Sequence, residues 1–182
     1  IPFFKKCLDY DDEDYQSLYN LVFCYENLGF IDESISELSN VLEKRPYSKI
    51  AWHQLGKIYK KQGKLNEAVS AFDFAIISDD QFVSAYIEKA KILEKVKKYK
   101  DALENYKISI QLSEPNSYIF FRISKCYKKL NNKKLFIEFI KKALREEPGN
   151  EKAWVYLIKF YLKKNNLRQS RYLSKKALDN NH

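Results

Sequence analysis

Residues 52–59 read WHQLGKIY and residues 68–75 read AVSAFDFA, with Gly63 between them. Trp52, Leu55, Gly56 and Tyr59 stand at the i, i+3, i+4, i+7 spacing of one helical face. Ala68, Phe72, Ala75 and Ile76 keep a helical spacing after the break, and glycine tolerates the left-handed backbone with which a helix closes. The stretch predicts two helices joined by a short turn. Each has one apolar stripe, and neither can bury it alone.

The pattern returns every 34 residues. Leu18, Trp52, Tyr86, Phe120 and Trp154 form one column. Leu21, Leu55, Ile123 and Leu157 form another, interrupted by Lys89, and Tyr25, Tyr59, Tyr127 and Tyr161 a third, interrupted by Leu93. In the second helices Ala68 and Ala102 align with Ser34 and Ser170, Leu38 with Phe72, Tyr106 and Ile140, and Leu42 with Ile76, Ile110, Leu144 and Leu178. Pro46 and Pro148 close their units at matching places. Five units follow without insertion: 15–48, 49–82, 83–116, 117–150 and 151–182. Helix pairs are expected at 15–28/32–44, 49–62/65–78, 83–96/99–112, 117–130/133–146 and 151–164/167–180, with turns at Gly29, Gly63, Asn131-Asn132 and Asn165-Asn166. Small residues (Gly56 and Ala90, Ala68 and Ala102) let paired helices approach, the large column fills the space between neighbours, and stacking supplies a continuous core.

The run from Trp52 to Tyr59, followed by Ala68, Phe72 and Ala75, resembles the tetratricopeptide repeat, and the resemblance extends over residues 15–182. It implies an all-α, right-handed superhelical solenoid of antiparallel helix pairs, five 34-residue repeats long, whose first helices line a concave groove. Residues 1–14 read as the end of a preceding second helix, with Phe4, Cys7 and Leu8 in register, followed by an acidic turn. Phe136 stands where a small residue is usual, with Ser124 as compensation, so the fourth pair is expected to pack more openly; Lys89 and Ser174 are polar at apolar places. Truncating Trp52 or Trp154 is expected to cost about 3–5 kcal/mol, more for Trp52 because it has neighbours on both sides. The polar last helix, with Arg168, Ser170, Arg171 and Ser174, suits a solubilising cap, so the array is expected to end there.

Composition narrows the function. With 31% charged residues and no long uncharged apolar run, no membrane span is expected. Four glycines and four prolines argue against a β-rich chain, and 15% aromatics against disorder. Three scattered cysteines give neither a disulfide framework nor zinc spacing, which together with the missing signal pattern points to a cytoplasmic setting. The chain opens on Ile1 and contains no Met, so it reads as a piece of something longer. The glycines stand singly at 29, 56, 63 and 149, which leaves no phosphate loop. His53 and His182 are the only histidines; His53 reads as a ligand contact or a solvated helix residue, and Cys24 and Cys126 as packing residues. No cofactor, metal or catalytic residue is expected.

Charge is graded along the chain. By segment from 1–14 to 151–182 the net runs −3, −3, +1, +2, +6, +6, reaching +9 overall. Lys133, Lys134, Lys141 and Lys142 read as solvated outer-face residues. Opposite each first helix's core stripe, the groove stripe is neutral in the first unit (Gln16, Asn20, Phe23, Asn27), whereas later units supply Lys57, Lys61, Lys91 and Lys95. The last two units supply Tyr118, Arg122, Lys125 and Lys129, then Lys152, Tyr156, Lys159 and Lys163, with Phe121 adding apolar contact. These residues are expected to bind an acidic protein or peptide segment, since a concave wall of one sign concentrates the opposite charge. The Lys/Asn clamp with which some members of the family grip a terminal carboxylate is absent, at most one of its five positions matching in any window. A non-catalytic protein-binding scaffold is the leading expectation. The alternatives are nucleic-acid binding through the Lys/Tyr-rich groove of repeats 3–5, and a substrate-presenting module of a larger enzyme. The acidic run Asp9, Asp11, Asp12, Glu13 and Asp14 reads as a solvated turn at a helix N-terminus or as a head-to-tail contact with another copy.

Overall fold

Left-handed backbone marks the chain at a fixed step. Gly29 and Gly63 (φ +79° each), Lys97 (+64°), Asn131 (+57°) and Asn165 (+54°) lie 34 residues apart in succession. At each, the following amide closes the preceding helix by donating to a carbonyl five residues back: Phe30 to Tyr25, Lys64 to Tyr59, Lys98 to Leu93, Asn132 to Tyr127 and Asn166 to Tyr161. Lys97 adopts this conformation against its side chain, at a cost of about 1 kcal/mol relative to glycine.

The computed structural model of the chain describes residues 1–10, 15–114 and 116–180, with backbone alone for Asp9 and Tyr10. Asp11, Asp12, Glu13, Asp14 and His182 lie outside the described residues, and with them the acidic turn. Among the described residues every regular element is a helix: α1 Pro2–Tyr10, α2 Tyr15–Leu28, α3 Ile31–Lys44, α4 Lys49–Lys61, α5 Leu65–Ser78, α6 Val83–Lys95, α7 Tyr99–Leu112, α8 Ser117–Lys129, α9 Lys133–Glu146, α10 Glu151–Lys163 and α11 Leu167–Asp179. None is long and apolar enough to cross a membrane. Side-chain caps start several of them: Ser48, Asn116 and Asn150 accept from Ala51, Ile119 and Ala153 at the first helices, and Asn132 and Asn166 from Leu135 and Gln169 at second helices.

The chain divides within α6 into two compact units, residues 1–92 and 93–182. In the first, Leu18 and Val22 of α2, Leu38 of α3, and Ala51, Leu55 and Ile58 of α4 form one core, with Leu8 of α1 packed against it. Ala68, Phe72 and Ala75 of α5 form another with Ala85 and Ile92 of α6. Gly56 is required here, because a Cβ in its place would sit 2.8 Å from Cε1 of the Phe72 ring. Lys89, polar at an apolar place, is matched by Asp73 at 2.5 Å.

The second unit buries Tyr106, Phe120, Ile123, Tyr127, Phe136, Ile140, Trp154 and Leu157. The open packing expected around Phe136 is not found. Phe136 is fully buried, its ring 4.6 Å from Phe160, and α8 packs on α9 as extensively as α4 on α5. The physical reason is an exchange of volume along α9. Where α5 has Ala68 and then Phe72, α9 has Phe136 and then Ile140, so the large ring has moved one turn toward the helix N-terminus. The matching prolines also acquire a role: Trp52 and Trp154 each donate their indole N–H to the carbonyl six residues earlier, of Pro46 and Pro148, at 2.7 Å.

Candidate functional site

The positively charged residues of the first helices separate into paired and unpaired sets. In the first unit Lys61 pairs with Glu26 at 2.7 Å, and Lys60 and Lys91 both hydrogen-bond Glu88. Burial opposes the charge on Glu88, yet those two lysines hold its carboxyl below the ordinary range. Lys57 donates to Gln54 at 3.1 Å and lies 5.2 Å from the Tyr19 ring centre; burial lowers its pKa. Three of the lysines read from sequence as ligand-facing are thus engaged within their own unit.

His53 is half-buried rather than fully solvated. Its ring lies 5.5 Å from Phe72 and 5.2 Å from Phe82, and buried Nε2 has no hydrogen-bond partner among the described residues. Burial first, then the positive charge of Lys57, lowers its pKa to about 4. Unfolding restores an ordinary histidine near 6.5, so the unfolded chain takes up a proton between pH 6.5 and 4 that the folded chain refuses. Stability is complete above pH 6.5 and falls by up to about 3 kcal/mol as pH drops through that window. Urea unfolding at pH 7.5 and 4.5 measures this: wild type should lose about 2–3 kcal/mol more than His53→Gln. Equal losses would place the titration elsewhere.

In the second unit Glu94, with its side chain only 9% exposed, receives Arg122, and Lys125 approaches to 3.8 Å. Tyr106 donates its hydroxyl to Glu94 at 3.3 Å and accepts from Arg122 Nε at 3.1 Å. Arg122 therefore serves an internal network rather than an open wall, and Lys125 shares its carboxylate. Among the described residues no carboxylate pairs with Lys95, Lys129, Lys152, Lys159 or Lys163, all of them exposed. The last three lie along α10, and Lys129 ends α8. Between these two helices an open pocket of about 360 Å³ is lined by Phe121, Lys125, Glu151, Lys152, Val155, Tyr156 and Lys159. Phe121 and Tyr156 meet edge to face at 5.6 Å, while Tyr118 is exposed at the start of α8. Cys126 is buried, which raises its thiol to about 12, so it packs rather than reacts.

Lys133 departs from its reading as an outer-face residue. It stands at the first position of α9, in a second pocket of about 520 Å³ shared with Lys128, Lys129, Lys159, Lys163 and Lys164. Sequence reasoning missed Lys128, Lys133 and Lys164 because it followed one stripe on each first helix, and these three sit at or beside helix ends. Among the described residues no group of carboxylate, histidine and cysteine side chains could hold a metal.

The tetratricopeptide-repeat family model matches residues 50–76 and 117–150. Those two stretches are tetratricopeptide repeats, and the succession of helix pairs on either side of them has the fold of such repeats. No curated protein matches it significantly. Among solved structures it is similar to YrrB, described as a TPR protein with an unusual peptide-binding site, at 18% identity and TM-score 0.78, covering 97% of this chain and 91% of that one. MamA from residue 41 onward, of Desulfovibrio magneticus RS-1, aligns at 18% identity and TM-score 0.79, covering 92% and 94%. PilF of Pseudomonas aeruginosa aligns at 18% identity and TM-score 0.77, covering 93% and 77%. At these identities the likeness is one of fold.

Proposed function

We propose that the α8–α10 face binds an acidic segment of a partner protein. The observation that carries this is a set of exposed lysines without a carboxylate partner among the described residues: Lys152 and Lys159 beside the apolar surface of Phe121, Val155 and Tyr156, with Lys129 and Lys163 further along the same two helices. Unpaired charges of one sign are available to a ligand, whereas the lysines of α4 and α6 are largely matched already. YrrB's peptide-binding site is consistent with a peptide as ligand on this fold. Lys95 extends the positive character, and Tyr118 adds an exposed ring.

Peptides selected from a random library by the immobilised chain should be rich in Asp and Glu around one aliphatic or aromatic residue. Changing Lys152, Lys159 and Lys163 to Glu should weaken the best of them about thirtyfold, each reversal contributing near 0.7 kcal/mol. Reversal at Arg122 is a poorer test, since it would bring a second carboxylate against Glu94. Selection of neutral or basic peptides would sink the proposal. If instead an oligonucleotide displaces the peptides with log-linear salt dependence, nucleic acid becomes the ligand.

A further inference from the structure

Three equivalent positions on the first helices take different partners. Lys60 hydrogen-bonds Glu88, 28 residues on, and Glu94 hydrogen-bonds Arg122 at the same separation. At the next equivalent pair Lys128 finds Tyr156, its ammonium 3.7 Å from the ring centre, and among the described residues no carboxylate closes the contact. Around it are Lys129, Lys133, Lys159, Lys163 and Lys164, lining one pocket of about 520 Å³ without an acidic residue. Burial first, then the charges of Lys163, Lys129 and Lys159, lowers the pKa of Lys128, so these ammonium groups repel one another.

Lysines at the ends of α8 and α10 complement the helix dipoles, which accounts for Lys128, Lys129 and Lys163. It does not account for Lys133, which opens α9 at the positive end of its dipole, or for Lys159, a turn inside α10. The floor is made of rings. Phe136 is fully buried and Phe160 nearly so, and Lys128 covers Tyr156, so the floor offers low dielectric rather than a stacking surface.

Resting on the proposal for the α8–α10 face, we propose that this pocket takes a phosphate on a serine or threonine of the same acidic segment. A phosphomonoester carries about −1.5 to −2 charge and three acceptor oxygens, whereas a carboxylate brings one charge to six ammonium groups. Lysines act as point charges that converge on a phosphate from several directions, without the planar fork an arginine would impose. The segment's path follows from α10. Tyr156 and Lys159 line both this pocket and the one holding Phe121 and Val155. The two centres are about six residues apart on α10, which is about 9 Å. About three extended residues therefore separate the apolar side chain from the phosphate.

The probes are an acidic peptide with a central leucine and a serine three residues away, on either side in separate versions, its phosphoserine form, and inorganic pyrophosphate. The variant Lys133→Gln/Lys164→Gln changes only lysines outside the peptide-binding face. Calorimetry should show phosphorylation strengthening wild-type binding about thirtyfold in one of the two versions, falling below threefold in the variant. The unphosphorylated peptide should bind both proteins equally, and pyrophosphate wild type alone. A gain below threefold in wild type, or one that survives in the variant, overturns the proposal. If neither peptide form binds while pyrophosphate does, the α8–α10 reading fails, and the pocket serves a free phosphate compound instead of a peptide. If the unphosphorylated peptide binds and pyrophosphate does not, the face stands and the phosphate pocket falls.

Discussion

Phe136→Ala should destabilise the chain by about 3–5 kcal/mol in chemical denaturation. The side chain is fully buried, its ring 4.6 Å from Phe160 and 5.9 Å from Tyr156. Truncation would open a void that its neighbours cannot fill, since Ser124 and Ile140 are also completely buried. Both are smaller than Phe136. The loss should be shared by α8 and α10, because the ring touches residues of α10 and packs from α9 against α8. Phe136→Leu, which keeps most of the volume, should cost far less. A Phe136→Ala loss below about 1.5 kcal/mol would mean the site collapses around the smaller side chain.

The two tryptophans should rank against their order in the array. Trp154 is 5% exposed, whereas Trp52 is half-buried and stacks at 4.6 Å on Phe74, itself 48% exposed. Both indoles make the same hydrogen bond to a proline carbonyl, so burial decides the difference. Trp154→Ala should therefore cost about 3–5 kcal/mol and Trp52→Ala about half as much. Hydrogen exchange should locate the first effect in α10 and α11, since repeat arrays open locally before they open globally. A larger loss for Trp52 would restore the sequence-based expectation that flanking neighbours matter more than burial.

Much of the fold was legible because its signals are local. The Trp52–Tyr59 run and its later counterparts set the helix register, and Gly29, Gly63, Asn131 and Asn165 marked the left-handed turns. Lys97 gave no such signal, as lysine is not a left-handed residue by preference; only its place in the 34-residue step exposed it. The site was less legible, because a cation on a stripe looks the same whether or not a carboxylate faces it. Lys61 and Lys91 drew the same attention as Lys159, yet their partners Glu26 and Glu88 neutralise them. A signal did exist. Opposite charges 28 residues apart, as in Lys60–Glu88 and Glu94–Arg122, mark paired positions, and Lys128 with Tyr156 breaks the pattern.

The most direct measurement compares the affinity of one selected acidic peptide for three proteins at one ionic strength: wild type, Lys152→Glu/Lys159→Glu/Lys163→Glu, and Lys134→Glu/Lys141→Glu/Lys175→Glu. The last carries the same change in net charge on exposed residues of α9 and α11. If the α8–α10 face is the site, the first variant loses about thirtyfold and the second less than threefold. Equal losses in both would show that net charge alone attracts the peptide, and no loss in the first would place the binding surface elsewhere.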